Sequence, residues 1–301
     1  MKKEELKSNM LLLIAAAIWG FAFVAQRVGA KYVGAFTFNG IRFALGSCSL
    51  IPLILYFNRK SKESIPDDTK NDTLQKSVLR PGVILGCVLF LGASLQQIGL
   101  SETTAGKAAF ITGFYIVLVP IFGIFLKHHI HINTWIGVVL AIIGLYFLSV
   151  TESFSIAKGD LFEVAGAIFW ATHILLIDHF TKHFDALKLS FIQFLTCSIF
   201  SMIVAFIFEK ITIYGLSEAL VSILYGGICS VGIAYTLQVI GQRHAKPSHA
   251  AIVLSMETVF AALGGLIMLN ENLGFRGYLG CALMLAGMLL SQLKNFGTSE
   301  S

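Results

Sequence analysis

The sequence predicts an all-α polytopic membrane protein, with ten transmembrane helices arranged as two inverted five-helix repeats. Three observations carry that expectation. The chain is 56% hydrophobic and 13% charged, with a mean hydropathy of +0.78, whereas soluble domains carry roughly 25% charged residues. Apolar runs near the ~20-residue length of a membrane-spanning helix recur from end to end, and they are continuous rather than alternating, which argues against a β-barrel. The chain also repeats itself. Leu95-Gln96-Gln97-Ile98-Gly99-Leu100 matches Leu237-Gln238-Val239-Ile240-Gly241-Gln242, and the same spacing of 142 sets Ala108-Ala109 on Ala250-Ala251 and Gly123 on Gly265. Nearer the start, a spacing of 151 sets Trp19 on Trp170, Ile41 on Ile192 and Phe43 on Phe194. Five crossings per half are an odd number, so the halves must face opposite ways across the bilayer.

The spans are predicted at 9–29, 35–57, 81–100, 104–126, 132–150, 160–181, 187–208, 217–241, 247–269 and 274–293. Lys2, Lys3 and Lys7 before an apolar run resemble a signal peptide, but the run continues past Trp19 to Ala25, so it reads as a retained first helix. Pro81 and Pro247 stand at helix starts, where a missing N–H costs nothing. Pro52 and Pro120 fall inside spans and are expected to bend them. Residues 58–80, rich in charge, Ser and Asn, form the one long polar loop and are expected to be flexible. The repeats are set at 1–150 and 151–301.

With the N-terminus placed in the cytoplasm, fifteen Lys and Arg fall on inner segments and six on outer ones, which puts both termini inside. Gly137 and Gly144, and their counterparts Gly280 and Gly287, are spaced by about two helical turns and mark close helix packing. Cys48, Cys87, Cys197, Cys229 and Cys281 all lie in apolar runs without metal-ligand spacing and read as packing residues. Lys127-His128-His129-Ile130-His131 is a basic inner loop without the carboxylate or thiol support a metal site would have.

Polar groups at membrane depth are costly and need a reason. Glu257 lies mid-span with no cation three or four residues away on its own helix. It is either a proton-coupling or amine-binding group or a neutral hydrogen-bonded carboxyl. Its counterpart is Tyr115, and a two-fold axis would bring both to the centre. Gln96 and Gln238 are counterparts at matched depth; Tyr235, Gln238 and Gln242 share a helical face. Such amides orient a polar solute in a cavity or bond helix to helix. Trp19, Phe23 and Gln26 share one face, Trp170 and His173 another. As counterparts in inverted halves, Trp19 and Trp170 are expected toward opposite membrane faces, at two ends of a pathway or in the interfacial belts. Arg42 cannot shed its proton and should pair, bond helix carbonyls or reach the outer surface. Asp178 and Lys182 read as a surface ion pair.

Met256-Glu257-Thr258-Val259-Phe260-Ala261-Ala262-Leu263-Gly264-Gly265, Leu269-Asn270-Glu271-Asn272-Leu273 and Leu279-Gly280 through Ala286-Gly287 resemble the last two helices of EamA-type carriers of the drug/metabolite transporter superfamily. Ala17-Ile18-Trp19-Gly20 and Ile41-Arg42-Phe43 resemble its first two. The chain departs from the family at Thr258, where Pro is frequent, and at His128, where the counterpart of Glu271 is often Glu.

The resemblance implies ten helices in two inverted repeats and a carrier of small metabolites. The expected function is secondary transport of a small organic, amino-acid-like solute across a bacterial-type cytoplasmic membrane, by rocking around a cavity. Trp19, Gln96, Tyr115, Trp170, His173, Tyr235, Gln238 and Glu257 are the candidate substrate-binding residues, with Glu257 also the candidate proton-coupling group. No cofactor, metal or nucleic-acid partner is expected; the partners are the solute and the bilayer, and a homodimer is compatible with the sequence. The alternatives are a lipid flippase or an intramembrane enzyme, the latter lacking a visible pair of carboxylates. No P-loop is present to use ATP directly.

Overall fold

The fold is seen in a computed structural model that describes residues 2–63, 77–102, 105–127, 130–149, 158–269 and 274–292. Its first half holds α1 (Lys2–Gly29), α2 (Ala35–Glu63), α3 (Leu79–Glu102), α4 (Ala105–Thr112), α5 (Tyr115–Phe125) and α6 (Ile132–Ser149). Its second half holds α7 (Lys158–Thr181), α8 (Ala186–Phe208), α9 (Ile213–Glu218), α10 (Leu220–Leu224), a π-helical segment (Tyr225–Tyr235), α11 (Thr236–Gln242), α12 (Pro247–Leu254), α13 (Glu257–Leu269) and α14 (Gly274–Gln292). Among the described residues there are no strands. Among the described residues, seven helical runs are long and apolar enough to cross a membrane by length and composition, counting Leu220–Gln242 (α10 through α11) as one.

The polarity of the bundle is inside out relative to a soluble protein. Its outer surface carries Phe125, Phe206, Phe208 and Val221, each more than two-thirds exposed. Arg42, Gln97, Glu163, His173, Gln193, Gln238 and Glu257 are buried within it. Water would penalise so large an apolar exterior; hydrocarbon accepts it and instead penalises polar groups facing outward.

Two of the predicted spans are interrupted. The run 104–126 breaks at Gly113-Phe114, and the run 247–269 at Ser255-Met256. The breaks are counterparts, again 142 residues apart. In each, the backbone tightens to i→i−3 bonds: Phe114 N–H to Ile111 O at 3.1 Å and Ile116 N–H to Gly113 O at 3.0 Å, Met256 N–H to Val253 O at 3.2 Å and Thr258 N–H to Ser255 O at 3.1 Å. Causes are local. Gly113 is a weak helix former. Ser255 donates its hydroxyl to Ile252 O at 2.8 Å, and Thr258 donates to Ser255 O, so side chains satisfy carbonyls that an unbroken helix would use. The first break lies upstream of Pro120, which sits inside α5.

The span expected at 217–241 also differs. A separate short helix, α9, precedes it, and its middle is π-helical. The wider turn lies against α2, where three glycines permit contact: a Cβ on Gly46 would fall 2.6 Å from Val231 Cβ, one on Gly227 2.7 Å from Leu45 Cβ, and one on Gly232 2.4 Å from Ser49 Oγ. At the expected 58–80 loop, α2 runs on to Glu63 and α3 begins at Leu79; 64–76 lie outside the described residues, as do His128 and His129. Asp178 and Lys182 pair at 2.8 Å, with Asp178 nearly buried and Lys182 exposed.

The glycine pairs are a seam. A Cβ on Gly137 would lie 2.7 Å from Gly287 O, and one on Gly144 2.6 Å from Gly280 O, so α6 and α14 run antiparallel with backbones touching. The pair α2 and α8 is also antiparallel. Ser47 donates to Phe191 O at 3.4 Å, and Ser198 donates to Gly40 O at 2.8 Å. Under the spacing of 151, these two bonds are each other's counterparts with donor and acceptor helices exchanged.

Gly137→Ala forces a methyl into this seam and should destabilise the protein by about 1–3 kcal/mol, the usual cost of overpacking. Gly166→Ala, where the nearest atom would stand 3.6 Å away, should leave stability unchanged or higher. Thermal unfolding of the two variants in detergent checks both; equal midpoints would contradict the seam.

Candidate functional site

A cavity lies where both interrupted helices meet the rest of the bundle. From α1 come Trp19, Phe23 and Gln26; from α2, Arg42; from α3, Gln96. The interrupted helices add Thr112, Tyr115, Leu254 and Glu257, and α7 adds Trp170 and Ile174. Ser230, Tyr235 and Gln238 close the wall from the π-helical segment and α11. Its volume, counted as room for the centres of water-sized spheres, is about 40 Å³. One water needs about 10–15 Å³ on that measure, so the cavity is a small space.

Tyr115 and Glu257 are the first residues of α5 and α13, immediately after the two breaks. The Tyr115 hydroxyl donates to Glu257 Oε1 at 3.1 Å. Counterparts in sequence therefore touch in space.

Tyr235 is the hub of an aromatic cluster. Its ring centroid lies 4.6 Å from Trp19, 6.2 Å from Trp170, 6.0 Å from Phe43 and 5.9 Å from Phe194. These separations suit edge-on and offset aromatic contacts. Trp19 is held by an Nε1–H bond to Ser230 O at 3.2 Å, inside the π-helical turn. Trp19 and Trp170 thus flank one ring in one cavity. Trp170, only 9% exposed, is no interfacial belt residue.

His173 is the expected site residue that the structure does not bring to the cavity wall. It stands behind Trp170 and Tyr235, at 6.1 and 6.3 Å between ring centroids, and its Nε2 meets Gln193 Oε1 at 2.9 Å. Both ring neighbours are bulkier and lie between it and the cavity. Gln96 Nε2 donates to Gln26 Oε1 at 3.3 Å, and Gln242 turns away to donate to Ile174 O at 3.1 Å. Two lining groups are buried without a hydrogen-bond partner, Trp170 Nε1–H and Gln238 Oε1. They are a free donor and a free acceptor, where native interiors leave few such groups unpaired.

Arg42 is buried, 2% exposed, where the sequence also allowed it to reach the surface. Its guanidinium carbon lies 5.4 Å from the Phe38 ring centre and 5.0 Å from that of Phe43. Its Nε–H donates to Asn39 Oδ1 at 2.9 Å, and Asn39 in turn donates to Ala93 O at 3.0 Å. Glu163 was not singled out by sequence. It is fully buried on α7, and Thr112 Oγ1 donates to its Oε2 at 2.9 Å. Glu257 is therefore not the sole buried carboxylate. Glu163 lies five residues from the start of α7, where the sequence resembles a helix end at the water boundary. Gly99 admits it: a Cβ there would fall 2.6 Å from Glu163 Oε1. That close approach was the missing signal.

A family profile described as the EamA-like transporter family matches residues 6–150 and again 157–293. An uncharacterized transporter of Archaeoglobus fulgidus is 28% identical over 97% of this chain and 87% of its own length. The uncharacterized transporter YoaV of Bacillus subtilis is 23% identical over 93% and 94%. One solved crystal structure superposes with a TM-score of 0.77 at 18% identity, over 95% of this chain and 96% of that one. At that identity the likeness speaks to the fold alone.

Tyr115→Phe removes the hydroxyl that Glu257 accepts from. The loss should lower stability by about 1–3 kcal/mol, the cost of stranding a buried polar partner. Unfolding of Tyr115→Phe, Glu257→Gln and the double variant measures the coupling; strict additivity would show that the two residues do not interact.

Proposed function

Because the chain belongs to the EamA-like transporter family, we propose that it is a secondary transporter. It moves a small organic metabolite, amino-acid-like above other classes, across the cytoplasmic membrane by alternating access. That family is one of membrane transporters, and the apolar helices make the chain a multi-pass membrane protein.

On this reading the seven long helices, α6, and the interrupted pairs α4–α5 and α12–α13 make ten spans, with both termini cytoplasmic. Residues 1–150 and 151–301 are the inverted repeats. The exchanged contacts support it: Ser47–Phe191 with Ser198–Gly40, and Gly137–Gly287 with Gly144–Gly280. Under a two-fold relation, a contact between residue i and the counterpart of j implies one between j and the counterpart of i. Residues contacting their own counterparts lie on the axis, as Tyr115 and Glu257 do.

The observation that carries the mechanism is that hydrogen bond, closed across two helix breaks at the wall of the cavity. Tightened backbone turns mark where the two helices can change direction. Trp19, Gln96, Tyr115, Trp170, Tyr235, Gln238 and Glu257 bind the solute, with His173 supporting the Trp170 and Tyr235 rings. Glu257 carries the coupling proton. Its carboxyl can bind a proton from one side and surrender it on the other as the helices rock, with Tyr115 its partner in the closed state.

In proteoliposomes, the wild-type chain should accumulate solute against a gradient when a pH difference is imposed. Glu257→Gln should abolish that accumulation yet keep measurable downhill exchange of solute, since the amide keeps the shape and a hydrogen-bonding oxygen but loses the proton. An unchanged pH dependence in Glu257→Gln would remove the coupling role. A folded wild-type protein that moves no amino acid, amine, nucleoside, sugar or vitamin in either direction would overturn the transporter reading itself.

A further inference from the structure

We propose that Arg42 is the anchor for a substrate carboxylate and that, with Glu257 facing the amino group, it selects α-amino acids as zwitterions. This inference deepens the transporter reading and rests on it. It starts from an uncompensated cation. Arg42 is buried and lines the cavity, yet among the described residues no carboxylate pairs with it. Its one hydrogen bond uses Nε–H, to Asn39. A guanidinium has five N–H donors, so among the described residues the two Nη nitrogens have no hydrogen-bond partner, on a side chain that lines the cavity.

The surroundings hold the group in place rather than satisfy it. Asn39 fixes the Nε edge and is itself tied to Ala93 O. Phe38 and Phe43 flank the planar head. The absence of a side chain at Gly226 makes room for the stem, since a Cβ there would lie 3.4 Å from Arg42 Cδ. With Nε committed, the Nη edge stays free. That edge matches two carboxylate oxygens by parallel charge-assisted bonds. A buried cation with few partners is costly, and a bound carboxylate compensates it directly. The cost is thereby turned into binding strength for one class of ligand.

The rest of the wall narrows the class. Arg42 and Glu257 are the two charge-bearing side chains on it. They come from different helices, α2 and α13, with Tyr235 beside Trp19 and Trp170 on the same wall. One cation and one acid suit a ligand of zero net charge with separated poles. A phosphate dianion would meet too few cations, and a simple amine would leave Arg42 uncompensated.

The test is binding of the twenty L-amino acids, their carboxamides and the amines left by decarboxylation, measured on the purified full chain by thermal shift and titration calorimetry. For the best-bound amino acid, the carboxamide and the amine should each bind at least 100-fold more weakly. In Arg42→Gln the acid should fall to the level of its carboxamide while the carboxamide is unchanged. Arg42→Lys, which keeps the charge and loses the fork, should fall between. A merely structural Arg42 would weaken acid and carboxamide alike. Wild-type protein that binds acid and carboxamide equally overturns the anchor, and that comparison needs no variant to fold. Amines or other solutes that bind and move while amino acids do not would remove the anchor and leave the transporter reading standing. A folded protein that neither binds nor moves any of the solutes would remove both.

Discussion

In hydrocarbon, a polar group must find its partner within the protein. That constraint organises this molecule. Continuous helices settle the backbone, and their apolar faces turn outward. Side chains that cannot face lipid gather in the centre, and there they bond across helices that are far apart in sequence. Tyr115 reaches Glu257, Gln96 reaches Gln26, and His173 reaches Gln193. The cavity is the remainder of this gathering, the place where polar and aromatic groups converge without quite filling the space.

Close backbone packing makes the arrangement stiff in some places and adjustable in others. Where glycines meet, as along α6 and α14, side-chain-free backbone faces touch and little can slide without separating the pair. Where helices break, two or three i→i−3 bonds replace the ordinary ladder. The π-helical segment is a third kind of place. It widens the eleven residues Tyr225–Tyr235 beside α2, and its Ser230 carbonyl serves Trp19. Stiff seams at the periphery and loosened turns at the cavity are the distribution expected of helices that pivot around a central ligand.

Much of this was legible from residue order. Hydropathy located the long helices, because lipid exposure demands continuous apolar runs. Pairing by spacing identified Tyr115 as Glu257's counterpart, and the two are bonded. The breaks were not legible at Ser255-Met256, because hydropathy runs across it unchanged and the cause is hydroxyl bonding to carbonyls. The convergence of Trp19 and Trp170 on one tyrosine was not legible, because spacing along the chain does not say which side chain of a third helix two rings will share. Arg42 could be recognised as a problem to be solved, but its neighbours Phe38, Phe43 and Asn39 become an enclosure only once the helix turns. Glu163 sat too near a predicted span end to draw attention, and its burial depends on Gly99 from another helix.

The aromatic hub has an optical consequence. The chain has three tryptophans, and two of them, Trp19 and Trp170, line the cavity around Tyr235. The third, Trp135, is on α6. The protein's own ultraviolet emission is therefore weighted toward the site. Any ligand that enters, or any rocking that admits water, alters the polarity around most of the indole fluorescence without a label being attached. Occupancy and hydration of the cavity become readable by eye of a fluorimeter, in the intact membrane and in real time.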